Sequence, residues 1–225
     1  MLRTELFDSF DLDVKIGLLN NGHAPVVNER HFHFDEELFK MCPDHVDLRG
    51  YFQTEKYFKH IEKEIRSDFT FKNEILVPCK EMIESVENPI ALHVRRGDYI
   101  KNAENHFNLP SAYYNAALSK FDANRNVIVF SDDPVWCHDE GTFADDRFII
   151  SENEDNRVDL CLMSLCDDFI IANSSYSWWG AWLSTNKDKT VIAPSQWFGK
   201  TGYTKDHDTK DLIPNDWTII NDGQE

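Results

Sequence analysis

From residue 90 onward the chain alternates short apolar runs with longer amphipathic ones. Residues 90–94 (IALHV), 127–130 (VIVF), 148–150, 169–171, 191–193 and 217–220 are apolar without the in-and-out alternation of a sheet that has one wet face. Helical patterns lie between the first five. Residues 111–121 follow Pro110 and place Tyr114, Ala117, Leu118 and Phe121 on one side. Residues 134–140 end at Gly141. Residues 156–166 carry Val158, Cys161, Leu162 and Leu165 at helical spacing, and residues 177–184 are rich in Trp. Buried strands that alternate with helices predict an α/β fold, a doubly wound, Rossmann-like parallel sheet covered on both faces. The polar stretch 199–210 reads as a loop.

The first 88 residues carry less pattern. Residues 35–41 predict a short helix, stopped by Cys42-Pro43. Residues 54–69 predict a longer one, with Thr54 as N-cap, Tyr57, Phe58, Ile61 and Ile65 on one face, and Glu55, Glu62, Lys63 and Glu64 on the other. Residues 78–86 predict a third, with Pro78 in its first turn. This divides the chain into a smaller N-terminal α/β lobe, residues 1–88, and a C-terminal Rossmann-like lobe, residues 89–225.

Charge and composition narrow the function. Asp and Glu number 40 against 23 Lys and Arg, a formal net charge of −17 over 225 residues, which excludes a protein that coats nucleic acid by bulk charge. A phosphate, if bound, needs a local cluster of Arg or Lys. Hydrophobic residues at 41% and aromatics at 13% exclude a disordered chain. No apolar run reaches the roughly 18 residues of a membrane span, so membrane contact is at most peripheral. The N-terminus is acidic and resembles neither a secretory signal nor a transit peptide. The five cysteines form no CxxC pair, which speaks against zinc and against a disulfide framework. Cys161 and Cys166 sit in an apolar stretch and read as small buried hydrophobes, and the expected compartment is the cytoplasm.

Ligands of a doubly wound sheet bind beyond the carboxyl ends of its strands. That rule selects three segments. His93-Val94-Arg95-Arg96-Gly97-Asp98 puts two guanidiniums at a strand end. One can face a phosphate while the other is braced by an acid such as Asp98. His93, inside the strand, fits a core histidine as well as a functional one. Asn173-Ser174-Ser175-Tyr176-Ser177 joins a strand to a helix start, which suits an anion, although N-capping by Ser175 or Ser177 explains the same residues. Ser131-Asp132-Asp133-Pro134 offers carboxylates to ribose hydroxyls, to a base edge or to Mg2+, with helix capping as the plain alternative. Asp132, Asp133 and His138 together define a metal-dependent phosphohydrolase as a competing reading.

Taken in order, HVRRGDY at 93–99, FSDDPVWC at 130–137, NSSYSWWGAWL at 173–183, APSQWF at 193–198 and GYFQTEKYF at 50–58 resemble motifs of the family 11 glycosyltransferases, the α-1,2-fucosyltransferases. The resemblance covers residue 48 to the end. It implies a GT-B-type fold with the donor site mainly in the C-terminal lobe, GDP-β-L-fucose as donor, the 2-hydroxyl of a terminal galactoside as acceptor, inversion at the anomeric centre, and no metal or other cofactor. By position it makes Arg95 the arginine on the donor pyrophosphate, with Arg96 its neighbour and Asp98 the motif acid. Asp98 then serves either as base for the acceptor hydroxyl or as a brace for the arginines. Asp132 and Asp133 fall near the guanosine, and Ser174 and Ser175 near the phosphates, with His93, Asn173 and Ser177 completing the donor-binding set. Family members usually begin with a Gly-rich strand–turn–helix that this sequence lacks. The expectation is an incomplete N-terminal lobe, which leaves a GDP-sugar-binding pseudoenzyme as the alternative to an active transferase.

Overall fold

The computed structural model describes residues 5–12 and 24–221. Along the chain these form α1 (Glu5–Ser9), β1 (Val26–Asn28), α2 (Glu36–Met41), β2 (Asp47–Arg49), α3 (Glu62–Asp68), α4 (Asn73–Ile83), β3 (Ile90–Val94), α5 (Gly97–Lys101), α6 (Ser111–Leu118), β4 (Val127–Ser131) and α7 (Pro134–Asp139). They continue with β5 (Phe148–Ile150), α8 (Asn156–Ser164), β6 (Asp168–Ile170), α9 (Ser175–Leu183), β7 (Val191–Pro194) and β8 (Thr218–Ile220). The last six strands pair parallel in the order β5-β4-β3-β6-β7-β8. Counted within the sheet this is the order 3-2-1-4-5-6 of a Rossmann fold, as the alternating pattern predicts.

The two faces are sorted by residue parity along β3, whose five residues are all buried. Ile90, Leu92 and Val94 pack with Tyr113, Tyr114, Ala117 and Leu118 of α6. Ala91 packs on the other side with residues of α4, α8 and α9, including Cys79, Leu162, Trp178 and Trp182. α4 therefore shares the core of the large sheet although it precedes residue 89. All five cysteines are free and Cys79, Cys137, Cys161 and Cys166 are buried. Burial raises the thiols of the last three, that of Cys137 to about 11, as befits packing groups.

Several elements differ from expectation for identifiable reasons. The helix expected at 78–86 starts at Asn73, with Pro78 in its interior. Burial of Ile75 and Cys79 against α8 outweighs the local cost of proline, about 3 kcal/mol. The helix expected over 54–69 is broken into 3-10 turns at Glu55–Tyr57 and Lys59–Ile61 before α3. Thr54 does cap the first turn, accepting from the Lys56 N–H at 3.3 Å. The break sits at Phe58 (φ −132°, ψ 1°), whose ring stacks on Trp179 at 5.5 Å and meets Trp178 and Trp182 edge-on. Docking between three tryptophans outweighs the local helical pattern. β1 and β2, a parallel pair of three-residue strands, have no apolar alternation to betray them.

α8 and α9 approach closely at Gly180, where a Cβ would stand 2.3 Å from Met163 Sδ and 2.8 Å from its Cγ. Met163 is itself 1% exposed and has nowhere to swing. Gly180→Ala is expected to lower the unfolding free energy by about 1–3 kcal/mol despite the helix-favouring residue it introduces, a change that a urea titration reads directly.

Candidate active site

The sheet order reverses between β3 and β6, so their carboxyl ends flank a crevice. β3 runs out into Arg95-Arg96-Gly97, and Asp132, one residue past β4, organises that turn. One Asp132 oxygen accepts from the Arg96 backbone N–H at 2.9 Å, and the other lies 3.0 Å from the Arg95 guanidinium. Arg95 also donates to Asp98 at 2.6 Å. Arg96 turns the opposite way, donates to Asp133 at 3.2 Å and lays its guanidinium 4.0 Å over the Trp136 ring. Asp133 meanwhile caps α7 by accepting from the Trp136 N–H. A Cβ at Gly97 would stand 2.4 Å from Asp132 Oδ2, so glycine is required for this closeness. These ion pairs are partly exposed, Asp98 by 66%, and their contribution is orientation more than stability.

Beside Arg95 lies a cavity of about 280 Å3 between β3, β4 and α8, lined by His93, Asp132, Asn153, Glu154, Asp159 and Tyr176 among others. His93 is buried and its Nδ1 has no partner. Burial, helped by the positive charge of Arg95, holds its pKa at about 3, so the ring is neutral at physiological pH. Asp159 is 8% exposed, and burial raises its carboxyl above the usual range. Ser151 and Asn153 both donate to its Oδ1, at 2.7 and 2.8 Å. Neither Asp159 nor Tyr176 figures in the sequence-based set. The available signal was an acid three residues before Leu162, on the buried side of α8.

The third segment divides. Ser174 is the N-cap of α9, accepting from the Tyr176 N–H, and is 7% exposed. Ser177 is fully buried, its hydroxyl donating to the carbonyls of Ala172 and Ser174. Asn173, 1% exposed, ties loops together by donating to the carbonyls of Phe107 and Trp197, and its own carbonyl accepts from Tyr99. Ser177 is thus placed for packing, whereas Asn173 holds loops through its amide nitrogen and keeps a buried Oδ1 without a hydrogen-bond partner among the described residues. Of the four, Ser175 alone is exposed, and it does not line the cavity beside Arg95. The metal-hydrolase arrangement is not formed: Asp132 and Asp133 hold arginines, and His138 lies 3.0 Å from Glu152. Among the described residues no group of three or more His, Cys, Asp or Glu is placed to hold a metal.

The model of glycosyl transferase family 11 matches residues 23–221. The chain belongs to that family. Among its curated relatives are the O-antigen biosynthesis glycosyltransferase WbnK of Escherichia coli, 38% identical over 70% of this chain and 57% of that protein, and an alpha-1,2-colitosyltransferase of the same organism, 35% identical over 78% and 62%. The galactoside 2-alpha-L-fucosyltransferase Sec1 of Mus musculus is 24% identical over 80% of this chain and 54% of its own. The chain thus spans about three-fifths of the length of the bacterial relatives it matches. A solved fucosyltransferase, NodZ from Bradyrhizobium, aligns with a TM-score of 0.42 and 15% identity over 64% of this chain and 54% of its own. No helix among the described residues is long and apolar enough to cross a membrane.

His93 gives this candidate site a pH signature. Its folded pKa lies below the ordinary value of 6.5, so its contribution to stability is complete above pH 6.5 and is lost as the pH falls toward 3. Between pH 7.5 and pH 5 this group alone is expected to cost about 2 kcal/mol of unfolding free energy. His93→Gln should remove that increment from the pH dependence, as measured by urea titrations at the two pH values.

Proposed function

We propose that this chain forms the donor-binding part of an inverting glycosyltransferase. It would carry L-fucose from GDP-β-L-fucose to the 2-hydroxyl of a terminal galactoside, in the cytoplasm and without a metal. The observation that carries the reading is the fixed fork of Arg95 at the switch point, oriented by Asp98 and Asp132 and opening beside a cavity that holds a buried carboxylate.

The chemistry suits these groups. As the bond from the anomeric carbon to the β-phosphate oxygen breaks, negative charge grows on the diphosphate. A guanidinium already aimed there, with the α9 N-terminus nearby, stabilises that charge more in the transition state than in the ground state. Guanine offers N1–H and N2–H donors on one edge, and Asp159, with its Oδ1 occupied and its burial unrelieved, is the acceptor in the adjoining cavity. Asp132 and Asp133 hold the arginines first, so their service to the guanosine is indirect. The contact of Asp98 with Arg95 supports a bracing role over that of base for the acceptor hydroxyl.

Calorimetric titration with GDP in the presence of EDTA, with UDP as control, tests the reading. GDP is expected to bind and UDP not. Arg95→Ala should abolish the heat, and Asp159→Asn should weaken GDP about 10- to 100-fold through loss of a charge-assisted pair. Equal binding of GDP and UDP, or dependence on a divalent ion, would refute it. Because one relative is named for colitosyl transfer, turnover is to be compared with GDP-fucose and GDP-colitose as donors.

A further inference from the structure

Two smaller cavities of about 230 and 190 Å3 share Tyr51, Gln53, Ser175 and Trp197 and so form one cleft. Its lining is unusual for a chain with 28% charged residues, because no Asp, Glu, Lys or Arg contributes to it. The two histidines at one end do not change this character. His207 stacks on Phe32 at 4.8 Å, and His106 stacks on Tyr99 at 4.1 Å with its pKa lowered by burial. Aromatic faces make up most of the wall, and the side-chain amide of Gln53 has no hydrogen-bond partner among the described residues. Uncharged aromatic walls with a free amide suit a neutral ring bearing hydroxyls on its edges and C–H groups on its face, and do not suit a phosphate.

The segment carrying Tyr51 and Gln53 is held in a costly conformation. Phe52 has φ 48°, a left-handed backbone in a bulky residue, which costs on the order of 1–3 kcal/mol. The Glu29 carboxylate maintains it by accepting from the backbone N–H groups of Tyr51, at 2.7 Å, and Phe52, at 3.1 Å. Gly50 lets the turn close on Glu29, since a Cβ there would stand 2.3 Å from the Glu29 Cβ. The arrangement leaves Tyr51 61% exposed at the cleft instead of tucked into the core. The cleft also reaches the proposed leaving-group site, for Tyr99 lines it and lies 5.3 Å from the Arg95 guanidinium carbon.

We infer that this cleft is the subsite for the terminal pyranose of the acceptor glycan, with Tyr51 as its stacking face, Gln53 as its polar reader and Glu29 as the positioning residue of the turn. The inference rests on the donor reading only in placing the acceptor hydroxyl beside Arg95.

Saturation-transfer NMR with lactose as probe, run beside the GDP titration on the same chain, tests it. Lactose is expected to bind. Tyr51→Ala and Gln53→Ala should each weaken it about tenfold, while Tyr51→Phe, which keeps the ring, retains most of the signal. Glu29→Gln should weaken lactose and leave both the GDP titration and the melting temperature unchanged, a pattern that general loss of structure would not give. Lactose binding that survives Tyr51→Ala and Gln53→Ala, or no lactose binding by a chain that binds GDP, would overturn the subsite. Lactose binding sensitive to these variants in a chain that ignores GDP would uphold the subsite and refute the donor reading instead.

Discussion

The placement of one carboxylate governs the crevice. Asp132 leaves β4 and reaches across to β3, where its two oxygens take the Arg96 N–H and the Arg95 guanidinium. That bridge sets the exit direction of the chain from β3, requires a glycine at 97, and sends the two arginines to opposite sides. Arg96 donates to Asp133 and lies over Trp136. Arg95 keeps part of its donor fork beside the cavity. In a protein of net charge −17, a cation at a binding rim cannot draw on a background of positive potential, so its orientation has to be fixed by local contacts. Asp132 does so by holding the Arg95 guanidinium and the Arg96 backbone N–H while both side chains of the ion pair stay partly exposed, which avoids the desolvation cost of a closed pair.

The large sheet was legible in the sequence because both faces of its four central strands are covered. Six short apolar runs without polar alternation leave few alternatives to parallel strands wound with helices, and every expected run corresponds to a strand. The N-terminal part was less legible where tertiary contacts decide local form. Phe58 sits in a helical pattern, yet docking against three tryptophans distant in sequence breaks it. Pro78 signals a helix start, yet burial of Ile75 and Cys79 extends the helix backwards past it. β1 and β2 are each three residues long and largely exposed, so no periodicity could accumulate.

The site shows the same division. The arginines and their acids were readable because strand-end position and side-chain chemistry coincide in sequence. The serine-rich segment was ambiguous because capping and anion binding call for the same residues, and the structure assigns Ser174 to the cap and Ser177 to the interior. Asp159 was invisible as a candidate, since its role depends on a cavity formed by elements more than sixty residues apart in the chain, β3 and α8.

Two local costs border the cavities of this region, one at His93 and Asp159 and one at Phe52. The buried His93 Nδ1 has no hydrogen-bond partner, burial raises the Asp159 carboxyl, and Phe52 is held in a left-handed backbone by Glu29. A chain selected only for stability would replace the first pair with apolar side chains and give position 52 a glycine. The buried polar pair borders a space with hydrogen-bonding walls, and the strained turn borders one with aromatic, uncharged walls. The two spaces differ in chemistry, and Arg95 lines the first while lying 5.3 Å from the ring of Tyr99, which lines the second, a contrast that would suit a charged leaving group and a neutral nucleophile.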